Sequence, residues 1–151
     1  VREAVFNLLG PVTDATVLDL FAGSGALGIE ALSRGARRCV FVESDRAAAR
    51  VIARNLEQLE LTGAAVEQRD AVAALRAERA RGSTYDLILC DAPYERWAEL
   101  EERLAGELPG VLAPDGVLVV ETEARTEPQL PLDLVTSRRY GSARITIFRH
   151  E

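Results

Sequence analysis

The sequence predicts a doubly wound α/β fold: a mostly parallel, seven-stranded sheet that ends in an antiparallel hairpin. Three observations carry this. Short apolar runs alternate with amphipathic segments at helical spacing, the pattern of parallel strands joined by crossover helices. The last two apolar runs are separated only by Gly141-Ser142, which leaves room for a tight turn and none for a helix. Asp19, Glu43, Asp70 and Asp91 all fall at predicted strand ends. That is one rim of the sheet, the rim beyond which such folds bind ligands.

Taken in order, Arg2 to Leu9 reads as a short helix with Ala4, Val5, Leu8 and Leu9 on its apolar face, ended by Gly10-Pro11. Thr16 to Leu20 is the first strand, and Ala26 to Arg34 a helix closed by Gly35. Cys39 to Glu43 is the second strand. Asp45 is placed to cap the helix Arg46 to Leu59, whose Ala49, Ile52, Ala53 and Leu56 form a core face. Gly63 opens the third strand, Ala64 to Gln68. A helix over Ala71 to Arg81 follows, with Arg76 to Arg81 read as a solvated face. Tyr85 to Cys90 is the fourth strand, and Trp97 to Leu108 a helix. Pro109-Gly110 and Pro114-Asp115-Gly116 are expected as turns. Val117 to Glu121 is the fifth strand, the most apolar and so expected at the centre. Leu132 to Tyr140 and Ala143 to Arg149 form the closing hairpin. Residues 1–151 are read as one domain, without repeat or linker.

The chain is organised around Val17-Leu18-Asp19-Leu20-Phe21-Ala22-Gly23-Ser24-Gly25-Ala26-Leu27-Gly28. This is a buried strand, a glycine-rich turn and a helix start. Gly23 and Gly25 let the backbone turn tightly and approach a ligand. Ser24 is expected to cap the helix, and Gly28 to let it pack close to the sheet. G-x-G-x-x-G alone is shared by several nucleotide binders. Asp19 narrows the choice. A dinucleotide site keeps the helix N-terminus bare for a pyrophosphate, which a carboxylate at the strand tip would repel. The same carboxylate suits a ligand with a positive end, such as the ammonium and sulfonium of S-adenosylmethionine (SAM). Glu43 lies about twenty residues beyond the first glycine, where a carboxylate accepts ribose hydroxyls. Asp70 stands at the next strand-to-helix turn, where an acidic side chain can reach an adenine amino group or cap the helix.

Composition bounds the partners. Nearly half the residues are apolar and 28% are charged, as in globular chains. No apolar stretch is long enough to span a membrane, and no signal peptide is visible. Cys39 and Cys90 sit in apolar runs without metal-ligand spacing and are expected as buried free thiols. No metal site is expected, and His150, the single histidine, is poorly placed for catalysis. The sequence contains no methionine, and Val1 opens in mid-helix without a cap, so residues are expected to precede it. The net charge of −6 argues mildly against nucleic acid. The arginines cluster, however, at Arg34, Arg37 and Arg38 and again at Arg138, Arg139, Arg144 and Arg149.

Asp19-Leu20-Phe21-Ala22-Gly23-Ser24-Gly25 resembles the first motif of class I SAM-dependent methyltransferases, whose Rossmann-like seven-stranded sheet matches the element order above. The resemblance implies that Asp19, Phe21, Ala22, Gly23, Ser24, Gly25, Glu43 and Asp70 bind SAM. Asp91-Ala92-Pro93-Tyr94 resembles the Asp-Pro-Pro-Tyr motif of enzymes that methylate exocyclic amino groups of bases. Such an amine is a poor nucleophile because its lone pair is delocalised into the ring. A carboxylate (Asp91) and a backbone carbonyl (Ala92) can accept its two N–H bonds and hold it against the methyl donor. On this resemblance Pro93 would stiffen the turn, and Tyr94 would stack on the base. Ala92 stands where the pattern has proline, which keeps the carbonyl and loosens the loop.

Phe21 to Ala36, together with Val1-Arg2-Glu3-Ala4-Val5-Phe6-Asn7, Val42-Glu43 and Arg139-Tyr140-Gly141, resembles the RsmD family, which methylates a guanine N2 of bacterial small-subunit ribosomal RNA. The resemblance covers nearly the whole chain. It implies a bacterial cytoplasmic enzyme acting on an assembling ribosomal particle; the residues do not fix an oligomeric state, and a monomer is the expectation. In that family a basic segment precedes the first helix. Three other readings stay open: an adenine-N6 or glutamine methyltransferase, a non-catalytic SAM- or RNA-binding module, and a nicotinamide-dependent oxidoreductase, which fits the glycines but not Asp19.

Overall fold

The computed structural model describes residues 1–151. Its elements are α1 (Arg2–Leu9), β1 (Thr16–Leu20), α2 (Ala26–Ser33), β2 (Arg38–Val42), α3 (Arg46–Gln58), β3 (Ala64–Glu67), α4 (Ala71–Ala80), β4 (Tyr85–Cys90), α5 (Trp97–Glu107), β5 (Leu112–Glu123), β6 (Asp133–Tyr140) and β7 (Ala143–Arg149). The seven strands form one sheet in the order β3-β2-β1-β4-β5-β7-β6. β3, β2, β1, β4 and β5 run parallel, and β7 enters antiparallel between β5 and β6. No helix is long and apolar enough to cross a membrane.

The two faces of the sheet bury different helices, because strand side chains alternate. Leu18, Leu20, Val40 and Val42 point to the face covered by α4 and α5, through Val72, Leu75, Leu100 and Leu104. Val17, Cys39 and Phe41 point to the face covered by α1, α2 and α3, through Phe6, Leu32 and Ile52. Asp19 shares the parity of Val17, so its carboxylate lies beneath α2 rather than in water, with the residue 2% exposed. Both cysteines are buried and free, as expected.

Three expectations are corrected. β5 starts at Leu112, not Val117, because the segment Pro114 to Gly116 is captured in the sheet. Asp115 N–H donates to the His150 carbonyl (2.8 Å), and His150 N–H donates to the Gly116 carbonyl (2.9 Å). The ladder shifts register between Tyr85↔Leu112 and Leu87↔Val117 to absorb the extra residues. The middle of the sheet belongs to β4, since β7 and β6 flank β5 on its other side. Finally, Glu78 is not part of a solvated face. It is 3% exposed, accepts a hydrogen bond from the Tyr85 hydroxyl (2.9 Å) and pairs with Arg81. These partners offset the cost of burying its charge and hold its carboxyl below the usual range.

Gly28 sets how closely α2 lies on the sheet. A Cβ there would sit 2.3 Å from Phe41 Cε1 and 2.8 Å from Cys39 Sγ. Both neighbours are fully buried, so neither can retreat. Gly28→Ala is expected to destabilise the fold by about 1–3 kcal/mol, read as a lower midpoint in urea unfolding. An unchanged midpoint would refute the close approach.

Candidate active site

The sheet order places five carboxylates along one rim. From the β3 edge inward they run Asp70, Glu43, Asp19, Asp91 and Glu121, each at the C-terminal end of its strand. The first four are those that the sequence placed there. Glu121 was visible only as the last residue of a predicted strand, and its sequence neighbours form no motif. The strand-end rule that found the others would have found it once β5 was known to lie beside β4.

Asp19 organises the glycine turn. Its Oδ2 accepts the backbone N–H of Gly28 (3.1 Å), one of the donors that a helix N-terminus leaves without an intrahelical partner. This corrects the expected cap. Ser24 makes no capping bond, and Gly25 occupies the cap position in the left-handed region, φ 82°. The reason is geometric. The turn needs two left-handed glycines, Gly23 and Gly25, and this aims the helix start back at the strand that precedes it. Phe21 is also left-handed, φ 57°, a strained setting for an aromatic residue.

The loop is clamped from β2. Glu43 accepts the N–H of Gly23 through Oε1 (2.8 Å) and the N–H of Asp45 through Oε2 (2.8 Å). The carboxylate assigned to a ribose thus first fixes the glycine turn. Each oxygen retains a lone pair for a further donor. Asp70 caps α4, accepting the N–H of Ala73 at Oδ2 (3.0 Å). Asp45 caps α3 in the same way through Ala48 (2.9 Å).

Two clefts meet at Phe21. One, of about 150 Å³, is lined by Asp19, Ala22, Gly23, Ser24, Leu27 and Asp91 among others. The other is narrow and is lined by Val42, Glu43, Asp70, Arg69 and Arg96 with Phe21. Together they follow the rim from β3 to β4. Seven of the eight residues proposed from sequence for the cofactor line these clefts, and the eighth, Gly25, caps α2 directly behind them. The position of Gly23 where a Cβ would point is open, with nothing within 4 Å.

The far wall carries the second motif. Asp91 lines the same cleft as Asp19. Ala92 is buried, and Pro93 leads into a short 3₁₀ turn, Tyr94–Arg96. The Tyr94 hydroxyl donates to Glu121 Oε2 (3.0 Å), and the residue remains 38% exposed. Burial and the neighbouring Glu121 charge push Asp91 up to about 6. Burial first, then the bond to Glu121, raises the Tyr94 phenol to about 12. Asp19 is pushed up to about 8, chiefly by burial, opposed by the Gly28 bond and aided by the charges of Asp91 and Glu43. An acidic rim of this kind is suited to a cationic ligand.

The arginine groups divide. β6 runs parallel to β5, so Arg138 and Arg139, both exposed, end on the same rim as Asp91. Arg144 joins them but is engaged, donating to the Ala124 carbonyl (2.8 Å) and Ser137 Oγ (3.0 Å). Arg34, Arg37, Arg38 and Arg149 lie at the opposite end of the sheet.

The family described as Conserved hypothetical protein 95 matches residues 1–149. The chain belongs to this family, the RsmD family. Within it, a candidate rRNA methyltransferase of Bacillus subtilis, YlbH, is 40% identical over 99% of this chain and 84% of its own length. The ribosomal RNA small subunit methyltransferase D of Escherichia coli is 40% identical over 82% of this chain and 61% of its own length. Among solved structures, a candidate methyltransferase of E. coli, YhhF, superposes with a TM-score of 0.86 at 34% identity, over 99% of this chain and 85% of that one. The fold is the class I methyltransferase sheet expected from the sequence.

The raised Asp19 carboxyl has a consequence for stability. Its folded value of about 8 lies above the ordinary 3.8, so the folded chain binds a proton that the unfolded chain has released between those limits. Stability from this site is full below about 4 and is lost as pH rises toward 8. Asp19→Asn keeps an acceptor for Gly28 and removes that loss. It is expected to be more stable than the wild type by at least about 1 kcal/mol at pH 8, with the gap closing toward pH 4. Equal thermal midpoints at pH 8 would contradict the burial of an uncompensated carboxyl.

Proposed function

We propose that this chain transfers a methyl group from SAM to the exocyclic N2 amine of a guanine in small-subunit ribosomal RNA. The observation that carries the reading is the shared cleft. The carboxylate beneath the glycine turn, Asp19, and the carboxylate that opens the second motif, Asp91, line one cavity. A methyl donor held by the first and an amine held by the second would meet in it. The named relatives support an RNA substrate, since the curated names of two of them specify rRNA.

The residues fit SAM by their chemistry. A buried carboxyl lacking a countercharge, Asp19, favours an ammonium or sulfonium nearby. Glu43 and Asp70 supply acceptors for ribose hydroxyls and an adenine amine, and the open side of Gly23 admits close approach of the ligand. When bound, SAM supplies an electrophilic methyl group on a positively charged sulfur. Asp91 and the Ala92 carbonyl accept the two N–H bonds of the amine and turn its lone pair toward that methyl. The amine lone pair would form the new N–C bond as the S–C bond breaks, with the S–C electron pair left on sulfur. The nitrogen, now cationic, gives up a proton readily, so Asp91 acts by orientation and charge rather than as a strong base. Tyr94 offers its ring as a stacking surface. Arg138 and Arg139, on the same rim, are available to the RNA backbone.

Asp91→Ala is expected to lower methyl transfer by about 100-fold or more while leaving SAM affinity within a few-fold. Transfer to small ribosomal subunits from tritiated SAM reads the first, and calorimetry the second. Equal loss of both would remove the assigned role. In the wild type, kcat/KM is expected to fall as pH drops below about 6, where Asp91 takes up a proton and loses the charge that holds the amine. A profile flat down to pH 5 would contradict it.

A further inference from the structure

Glu121 is the rim carboxylate that neither motif includes. Cys90 pairs with Val120 in the parallel ladder, so Asp91 and Glu121 stand side by side just beyond it. Their backbones are one strand spacing apart, about 4.8 Å. Glu121 Oε2 accepts the Tyr94 hydroxyl (3.0 Å), while Oε1 carries no hydrogen bond within the chain. One carboxylate therefore anchors the stacking ring of the second motif and keeps a free acceptor beside Asp91.

This arrangement discriminates between bases. The amine of guanine is flanked by a ring N–H at N1 on one side and the bare nitrogen N3 on the other, so it alone offers a donor beside the amine. The amine of adenine is flanked by the bare nitrogens N1 and N7, and that of cytosine by the bare nitrogen N3 and a C–H. With the amine on Asp91, an acceptor next to it meets a donor only when the base is guanine. A carboxylate facing a ring lone pair would instead be repelled and left without a partner, which is costly in a partly desolvated site.

We infer that Glu121 selects guanine, its Oε1 accepting the N1–H of the base whose N2 amine is held by Asp91 while its Oε2 fixes Tyr94 against the ring. The inference rests on the methyl-transfer reading above and narrows it, because adenine-N6 enzymes use the same Asp-x-Pro-Tyr geometry. The side chain reads the Watson–Crick edge, the edge exposed when an RNA base is unstacked from its neighbours. The influence of Glu121 on Asp91 is a second sign of their closeness.

The test uses small ribosomal subunits from a bacterium lacking an enzyme of this family, with tritiated SAM and digestion of the RNA to nucleosides. The wild type is expected to yield labelled N2-methylguanosine. Glu121→Ala and Glu121→Gln are each expected to lose about 10–100-fold in kcat/KM, with thermal midpoint and SAM affinity unchanged. Glu121→Asp is expected to recover part of the loss, since it restores the charge. Tyr94→Phe, which removes only the phenol bond, is expected to lose less than Glu121→Ala; an equal loss would assign the whole effect to anchoring the ring and overturn the contact with N1–H. Glu121→Ala and Glu121→Gln both within threefold of the wild type would overturn the inference and leave methyl transfer standing, provided Asp91→Ala is inactive. Labelled 6-methyladenosine from the wild type, or no label at all, would overturn both.

Discussion

Burial of Asp19 under the first turn of α2 is the constraint on which the rest of the site depends. The carboxyl is almost sealed from water and is held by a single backbone donor, Gly28. That donor is available only because Gly28 lies tight against Phe41 and Cys39, and it is aimed correctly only because Gly23 and Gly25 turn through the left-handed region. Glu43 then fixes the turn from the neighbouring strand. Each contact is local, but together they present a carboxyl that gains from meeting a positive charge.

The parallel sheet turns this local device into an extended one. Because β3, β2, β1, β4 and β5 end on the same side, four further carboxylates follow Asp19 along the rim without any sequence proximity. Their roles divide by surroundings. Asp70 and Glu43 accept backbone N–H groups and hold loops as well as offering free lone pairs. Asp91 has no such donor, is pushed upward by burial and by Glu121, and faces the cleft. Carboxylates at successive strand ends thus become structural acceptors at one side and, near the middle, a cleft-facing group that no backbone donor engages.

Much of this was legible in the sequence, for physical reasons. Strand ends could be read because apolar runs such as Tyr85 to Cys90 stop abruptly at an acidic residue, and α2 could be placed because glycines bracket it. The internal detail was less accessible. Ser24 is a natural cap by composition, but the left-handed turn hands the cap position to Gly25 and the bond to Asp19, nine residues before Gly28. Glu78 looked solvated because its partner Tyr85 lies across the α4–β4 turn. The role of Pro114 to Gly116 depended on His150, near the C-terminus. In each case the deciding contact depends on how the chain folds back between two residues, which residue type and periodicity do not show.

The most direct test of the central claim is calorimetric titration of the chain with SAM at pH 7 in buffers of different ionisation enthalpy. If Asp19 is protonated in the free protein and meets the positive end of the ligand, binding releases a proton. The apparent enthalpy then varies with the buffer, and the variation disappears in Asp19→Asn. Binding without proton release, or tighter binding of NAD than of SAM, would contradict the account at its root.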